Sequence, residues 1–583
     1  MGAQAYGAAL LILATALPLS SQAAKVKSPH IVMILADDLG WNDVSFHGSS
    51  QIPTPNLDAL AADGVILNSY YAQHLCTPSR AALLTGLYPI RTGLQHSVLV
   101  CGQPGGLPVN FQILPQYLKN LGYRTHMVGK WHLGYYKKAY TPTERGFESF
   151  YGYYNFGEDY YDHTLDLFFP GNSLCGLDLW NGKKSVKDKS GVYATHLFTD
   201  KAVNLIEEHD QSTPLFLYLS HLAVHAGTQY GPIQAPEENV QKFDYIGVKN
   251  RSLYAGAVDA LDQSMGIVFQ ALEKKDMLQN TVLVFLSDNG AIPWGEWSNA
   301  GSNWPLRGAK FTLWEGGVRV PAFVWSPLLR KPQRVSNQLM HVSDWVPTLY
   351  SLAGGNIADL GVIDGLDMWE ALSQDLPSPR RETLINFDSV DGTAALRSGD
   401  FKLVVNSYKN GTYDQRLPTP GNLPPRVDLD RLMLESRAGK ALKTFYANRA
   451  GWSLPTEWRG KAKIHCGDRK DKFRTEDTPH LFDVVKDPCE LQNLAGCRKL
   501  VLRRLMKKLQ AYIDQAVPPM DDTFDSAGYP RNNDCIWMSW QDPQHVPRPS
   551  QCTCHAPNSA NSSGQLAESM TKPGASSSRP LRH

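Results

Sequence analysis

Two pairs of hard oxygen donors lie far apart in the chain, Asp37-Asp38 and Asp288-Asn289, each directly behind a short apolar run. Three carboxylates drawn together repel one another unless a cation sits among them, and an all-oxygen set suits a divalent Ca²⁺ or Mg²⁺. Arg80, Lys130, His132, His225 and Lys310 occupy comparable strand-end or turn positions. Taken singly, each reads first as a solvated surface charge; gathered round a metal they make an anion-selective pocket. Cys76 is the candidate nucleophile. In Cys76-Thr77-Pro78-Ser79-Arg80, Pro78 near the start and Gly86 beyond the end bracket a short helix. The cysteine falls at the helix N-terminus, where the dipole is expected to lower a thiol's pKa and favour anions. Arg80 comes one turn later, on the same face, placed to hold an anion over residue 76.

Apolar runs mark the elements that must carry these groups. Residues 31–35 (IVMIL) lead into Asp37-Asp38, 125–128 into Lys130 and His132, 215–219 (LFLYL) into His221 and His225, and 282–286 (VLVFL) into Asp288-Asn289. Runs this short, apolar on both faces, are strands buried between helix layers. Helical stretches alternate with them at 55–63, 113–121, 199–208 and 253–274. The alternation predicts an α/β domain, whose ligands sit beyond the carboxyl ends of its strands. After about residue 385 the pattern changes. Residues 394–405 and 480–485 read as antiparallel strands and 500–517 as an amphipathic helix. Residues 417–466 are irregular and have no assignment. This reads as a smaller α+β domain.

The chain has 583 residues, enough for two domains, with 42% hydrophobic and 19% charged residues. A net charge of +1 argues against a nucleic-acid-coating protein. Residues 8–19 (AALLILATALPL) are too short for a membrane span and precede Ser21-Gln22-Ala23, a small-x-small site, so 1–23 reads as a secretory signal peptide. No later stretch is long and apolar enough to cross a membrane. Asn250, Asn410 and Asn561 begin glycosylation sequons. Nine cysteines in an oxidising compartment leave at least one unpaired or chemically altered. The expected organisation is signal peptide 1–23, catalytic domain 24–385, α+β domain 386–550 and a disordered tail 551–583.

The segment Cys76-Thr77-Pro78-Ser79-Arg80 with Leu84-Thr85-Gly86 resembles the signature of the sulfatase family, C-x-P-x-R followed by L-T-G. The likeness extends, in the family's order, through residues 37–44 (DDLGWNDV), 129–134 (GKWHLG), 287–290 (SDNG) and 303–310 (NWPLRGAK). Residues 92–96 (TGLQH) and 314–319 (WEGGVR) most resemble the arylsulfatase B branch, the N-acetylgalactosamine-4-sulfatases. The similarity covers about 28–385 and fades beyond.

The resemblance implies an alkaline-phosphatase-like fold, a large mixed and mostly parallel sheet between helices. It implies that Cys76 is oxidised to formylglycine during secretion by a formylglycine-generating enzyme. Asp37, Asp38, Asp288 and Asn289 then match the ligands of one Ca²⁺, which residue 76 also meets. Arg80 and Lys130 match groups that hold the aldehyde hydrate and sulfate. His132 matches the base of the second step, and His225 and Lys310 match groups that bind sulfate and assist the leaving oxygen. The implied substrate is a sulfated glycan, N-acetylgalactosamine 4-sulfate in dermatan or chondroitin sulfate, cleaved in the lysosome or, alternatively, outside the cell. Cys101–Cys535 is the disulfide the resemblance leaves available, and Cys175 has lost its usual partner. Cys489 has Cys497, in C-x7-C spacing, or Cys466 as partner. Trp304 has two readings, stacking on a sugar or packing in the core. The rival functions are a phosphatase or phosphonate hydrolase on the same fold, and a secreted glycan-binding protein on a dead scaffold.

Overall fold

The computed structural model describes residues 28–554 apart from 170, 171, 229, 230, 296, 457 and 553. The signal peptide, the sequon at Asn561 and all but the start of the expected tail lie outside the described residues.

A 10-stranded sheet forms the centre. Its middle consists of the four runs anticipated from hydropathy, side by side and parallel: Thr281–Ser287, His30–Ala36, Leu215–Ser220 and Arg124–Lys130. Ala322–Trp325 joins antiparallel beside Thr281–Ser287, which makes the sheet mixed. Val32 and Ile34 enter one apolar core, whereas Ile31, Met33 and Leu35 enter another on the opposite face. Each core is closed by helices: Pro55–Asp63, Ala194–Glu208 and Lys249–Lys274 on the first side, Cys76–Thr85, Leu114–Asn120 and Trp345–Leu352 on the second. Burial on both faces is why these strands carry unbroken aliphatic runs.

Glu382–Asp388, Thr393–Ser398, Phe401–Val405 and His480–Asp483 form a separate antiparallel sheet. Leu505 and Leu509 of the helix Lys499–Ile513 cover one face of it. The other face meets Trp314 and Val318, which belong to the large-sheet part of the chain, through Ile385, Val404 and Phe482. The expected boundary at 385 falls inside the strand Glu382–Asp388. The unassigned stretch contains three short helices, Leu429–Glu435, Arg437–Phe445 and Arg459–Ala462. Met433, Ala438, Ala441 and Leu442 join the core under Lys249–Lys274, so this stretch packs on the large sheet's helices.

The disulfides correct the expected pairing. Cys535 bonds Cys552, and Cys101 stays a free thiol buried in the apolar core. Cys489 bonds Cys466, the competing partner, because both sit in a buried cluster with Trp41 and Leu306, whereas Cys497 is exposed and free. Cys175 has a partner after all, Cys554. The tail expected to be loose from 551 is therefore tied back at Cys552 and Cys554. Asn250 and Asn410 are exposed.

Candidate active site

The helix Cys76–Thr85 forms as its punctuation predicts. Leu75 is extended at the N-cap, Pro78 lies in the first turn where no N–H is needed, and Gly86, at φ +74°, ends the helix with its N–H on the Ala82 carbonyl. The helix presents Cys76 to the ends of the central strands. Sγ lies 3.5 Å from Asp37 Oδ1 and 4.0 Å from Asp38 Oδ1. Burial and the charge of Asp288 push the thiol's pKa well up, against the expected lowering by the helix end. An unmodified Cys76 is thus a neutral thiol and a poor nucleophile.

Arg80 is wholly buried one turn on. Its Nε and Nη2 donate to Asp288 Oδ2 at 3.1 and 2.8 Å, and its Nη1 donates to the Lys130 carbonyl and Ser220 Oγ at 3.2 and 2.5 Å. The side chain thereby ties three strand ends together. Lys130 Nζ donates to Asp37 Oδ2 at 2.5 Å, and Lys310 Nζ to both Asp38 oxygens at 2.7 and 2.9 Å. His225 Nε2 stands 3.6 Å from Asp38 Oδ2. Three carboxylates face three permanent cations, which is how so many charges persist away from water. Strand geometry permits the close packing at Gly129, φ +97°, where a Cβ would lie 1.9 Å from the Ser220 carbonyl oxygen.

Both imidazoles are held in one tautomer. His132 donates Nε2–H to the Leu99 carbonyl at 2.8 Å, leaving Nδ1 buried with no hydrogen-bond partner. His225 donates Nδ1–H to the Ala226 carbonyl at 2.6 Å, leaving Nε2 toward Asp38. Burial lowers both pKa values, that of His225 to about 3. The cations Lys130 and Arg80 add to the lowering at His132. Burial opposes but does not outweigh the charge of Asp38 at Lys310, whose pKa rises. His132 therefore offers a free lone pair, and Lys310 carries the proton.

The donor chemistry fits a hard divalent cation. Asp37, Asp38 and Asp288 converge with Asn289, whose Nδ2 is 2.5 Å from Asp38 Oδ1 and whose Oδ1 is buried without a partner. Turning that amide over would bring a fourth oxygen to the carboxylates. Asp37, Asp38, Cys76 and His225 each place a donor atom within 4.8 Å of the others.

A cavity of about 180 Å³ opens over Cys76, with His132, His225 and Lys310 on its walls. Its remaining lining is apolar, including Phe156, Trp297 and Phe311. Trp304 is not among the lining residues; it is half-buried beneath the Arg416 guanidinium, 4.8 Å from its ring centroid. The tryptophan at the cavity is Trp297. Asn299 also escaped the sequence reading: its Nδ2 donates to the carbonyls of Asp38 at 2.9 Å and Val224 at 3.1 Å, locking the Asp37-Asp38 turn to the His225 turn. Thr77 does the same for the other wall, donating to the His132 carbonyl and accepting from Leu99 N. Asn299 had only its place in a short polar segment before residues 303–310 to mark it out, and Thr77, though inside the Cys76–Arg80 segment, carried no assigned role.

The model of the sulfatase family matches residues 29–355, more than half of the chain. The chain belongs to the sulfatase family. Arylsulfatase J of Mus musculus is 37% identical over 523 residues, covering 89% of this chain and 81% of the relative. N-acetylgalactosamine-6-sulfatase of Mus musculus is 35% identical over 370 residues, covering 62% of this chain and 69% of the relative. The solved structure of Ps i-CgsB in complex with k-i-k-neocarrahexaose superposes with a TM-score of 0.65 at 26% identity, over 86% of this chain and 95% of that one. As a sulfatase, the chain is a sulfuric ester hydrolase. Its fold is that of the family, a large mixed sheet with a smaller antiparallel C-terminal sheet.

Proposed function

We propose that this sulfatase hydrolyses sulfate esters of glycans with formylglycine at residue 76 and Ca²⁺ held by Asp37, Asp38, Asp288 and Asn289. The observation that carries the reading is Cys76 itself: a buried thiol with a raised pKa, set against a carboxylate cluster, has no nucleophilic use until its sulfur is replaced. A hydrated aldehyde there supplies two hydroxyls on one carbon, one to attack sulfur and one to expel sulfate without a second attack at sulfur. The calcium ion, when bound, neutralises the carboxylates and polarises the oxygens it meets.

The chain's own groups account for the remaining requirements. Lys310 lines the cavity, and Arg80 and Lys130 lie behind it on Asp288 and Asp37, so their charges act together on the sulfuryl oxygens where charge gathers. Lys310 carries a proton for the leaving oxygen, and His225 orients beside it. His132 Nδ1, free and neutral, accepts the proton of the second hydroxyl. The apolar remainder of the cavity excludes water from these charges.

The likeness of residues 92–96 and 314–319 to the arylsulfatase B branch supports N-acetylgalactosamine 4-sulfate as the sulfated residue. The apolar run at 8–19 and the exposed sequons at Asn250 and Asn410 support passage through the secretory pathway, to the lysosome or beyond the cell. Turnover of a small aryl sulfate and of defined 4-, 6- and N-sulfated amino sugars tests this. Cleavage of the aryl sulfate and the 4-sulfate is expected. Cleavage of the aryl sulfate with none of the 4-sulfate would keep the chemistry and overturn the substrate.

A further inference from the structure

A second chamber lies against the catalytic cavity, and Leu75, Val98 and Phe311 form a wall common to both. It measures about 250 Å³. The catalytic cavity, at about 180 Å³, falls below the roughly 300–1,000 Å³ usual for small-molecule sites, so it takes one sulfated ring and little else. Whatever is attached to that ring must continue outside it.

The second chamber differs in chemistry from the first. His74, His96, Asp391 and Thr393 supply polar walls, and Tyr408 supplies a ring face. His74 is 5% exposed, and its Nδ1 is buried without a hydrogen-bond partner. Burial lowers the His74 pKa to about 4, so the ring is neutral and brings no positive charge. His96 stands among carboxylates: Nδ1 is 2.7 Å from Asp388 Oδ2, Nε2 is 3.6 Å from Asp522 Oδ2, and Asp391 is within 4.8 Å. Lys409, over the Tyr408 ring, is the other cation of the lining. Even with His96 protonated, Asp391 in the wall and Asp388 and Asp522 against His96 outnumber the two cations His96 and Lys409, so this corner stays negative. The catalytic cavity beside it is built for anions.

We propose that this chamber binds the sugar residue adjoining the sulfated one, and that it selects an uncharged, hydroxyl-bearing residue over a uronate or a second sulfated residue. The inference rests on the sulfated-glycan reading above and narrows it. Sugar hydroxyls can pair with Asp391 and Thr393, while the Tyr408 ring covers an apolar sugar face. A carboxylate or sulfate in the same place would meet Asp391 directly, and His96 and Lys409 are offset by Asp391 together with Asp388 and Asp522 around His96. Chains that join N-acetylgalactosamine 4-sulfate to a neutral hexose or hexosamine are thus preferred to chondroitin- and dermatan-type chains.

Three substrates test the proposal on the full-length enzyme: a small aryl sulfate, a sulfated disaccharide with a neutral hexose neighbour, and the same disaccharide with a hexuronate neighbour. The neutral disaccharide is expected to exceed the hexuronate in kcat/KM by about tenfold or more. Asp391→Asn should bring that ratio toward one, and Asp391→Lys should reverse it; a merely structural effect would lower both disaccharides alike. Equal kcat/KM for the two disaccharides, or a ratio indifferent to Asp391, overturns the chamber's role and leaves the glycan reading standing. Cleavage of the aryl sulfate with neither disaccharide overturns both.

Discussion

At the scale of single residues, the site works by crowding charge. Asp37, Asp38 and Asp288 are each about 1% exposed or less and survive because Arg80, Lys130 and Lys310 reach them directly. Removing one member leaves a buried charge without its partner, the costly case. Asp38→Asn should therefore weaken the proposed metal binding: added calcium is expected to raise the thermal midpoint of the wild type and to raise that of the variant less. A ligand at a hundred times its Kd adds about 2.7 kcal/mol to stability. An equal calcium shift in wild type and variant would remove Asp38 from the metal site. Asn299→Ala removes the amide that holds the Asp38 and Val224 carbonyls and accepts from Ile292 N and Gly301 N. Denaturant unfolding should show a loss of about 2–4 kcal/mol, since several buried groups lose their partner at once. Metal affinity should fall with it, whereas Asn299→Gln keeps the chemistry but not the reach.

At the scale of elements, the four central strands were legible because each is buried on both faces and must be aliphatic throughout. Their ends were legible because acids and bases interrupt the runs at once. The signature helix was legible from Pro78 and Gly86. The charge state of Cys76 was not: a helix end favours thiolate, but complete burial and the charges of Asp288 and Asp37 outweigh it, and their convergence is a property of the fold. The helices within 417–466 were hidden for a different reason. They are short and polar, and Met433, Ala438 and Leu442 complete a core whose other half lies on Lys249–Lys274. Met433→Ala should cost about 2–5 kcal/mol in denaturant unfolding despite lying in a segment with no visible periodicity. A cost below 1 kcal/mol would mean that these helices are not part of that core.

At the scale of the whole molecule, the small sheet is joined to the large one by buried charge as well as by apolar contact. Lys402 of the small sheet lies between Glu315 and Glu490, 2.9 Å from each, with none of the three exposed. Lys402→Met leaves the two carboxylates facing each other and should destabilise by about 3–5 kcal/mol. Retention of wild-type stability would show that the triad does not couple the sheets. The disulfides act over longer range. Cys175–Cys554 links residues 379 apart, and no spacing rule could have found it, since the two cysteines meet only once the hairpin Thr164–Phe169 and Asn172–Leu177 is folded. The same holds for the second chamber, which joins His74 and His96 to the 391–409 segment across some 300 residues of chain.

The most direct test of the account is the chemical state of residue 76 in protein from a secretory host. Trypsin releases residues 28–80 as one peptide, since no Lys or Arg intervenes before Arg80. Mass spectrometry should find this peptide lighter than the thiol form and reactive toward hydrazides, and Cys76→Ala should abolish sulfate-ester turnover with the fold intact. Active protein whose residue 76 is only a free thiol or a disulfide would contradict the mechanism.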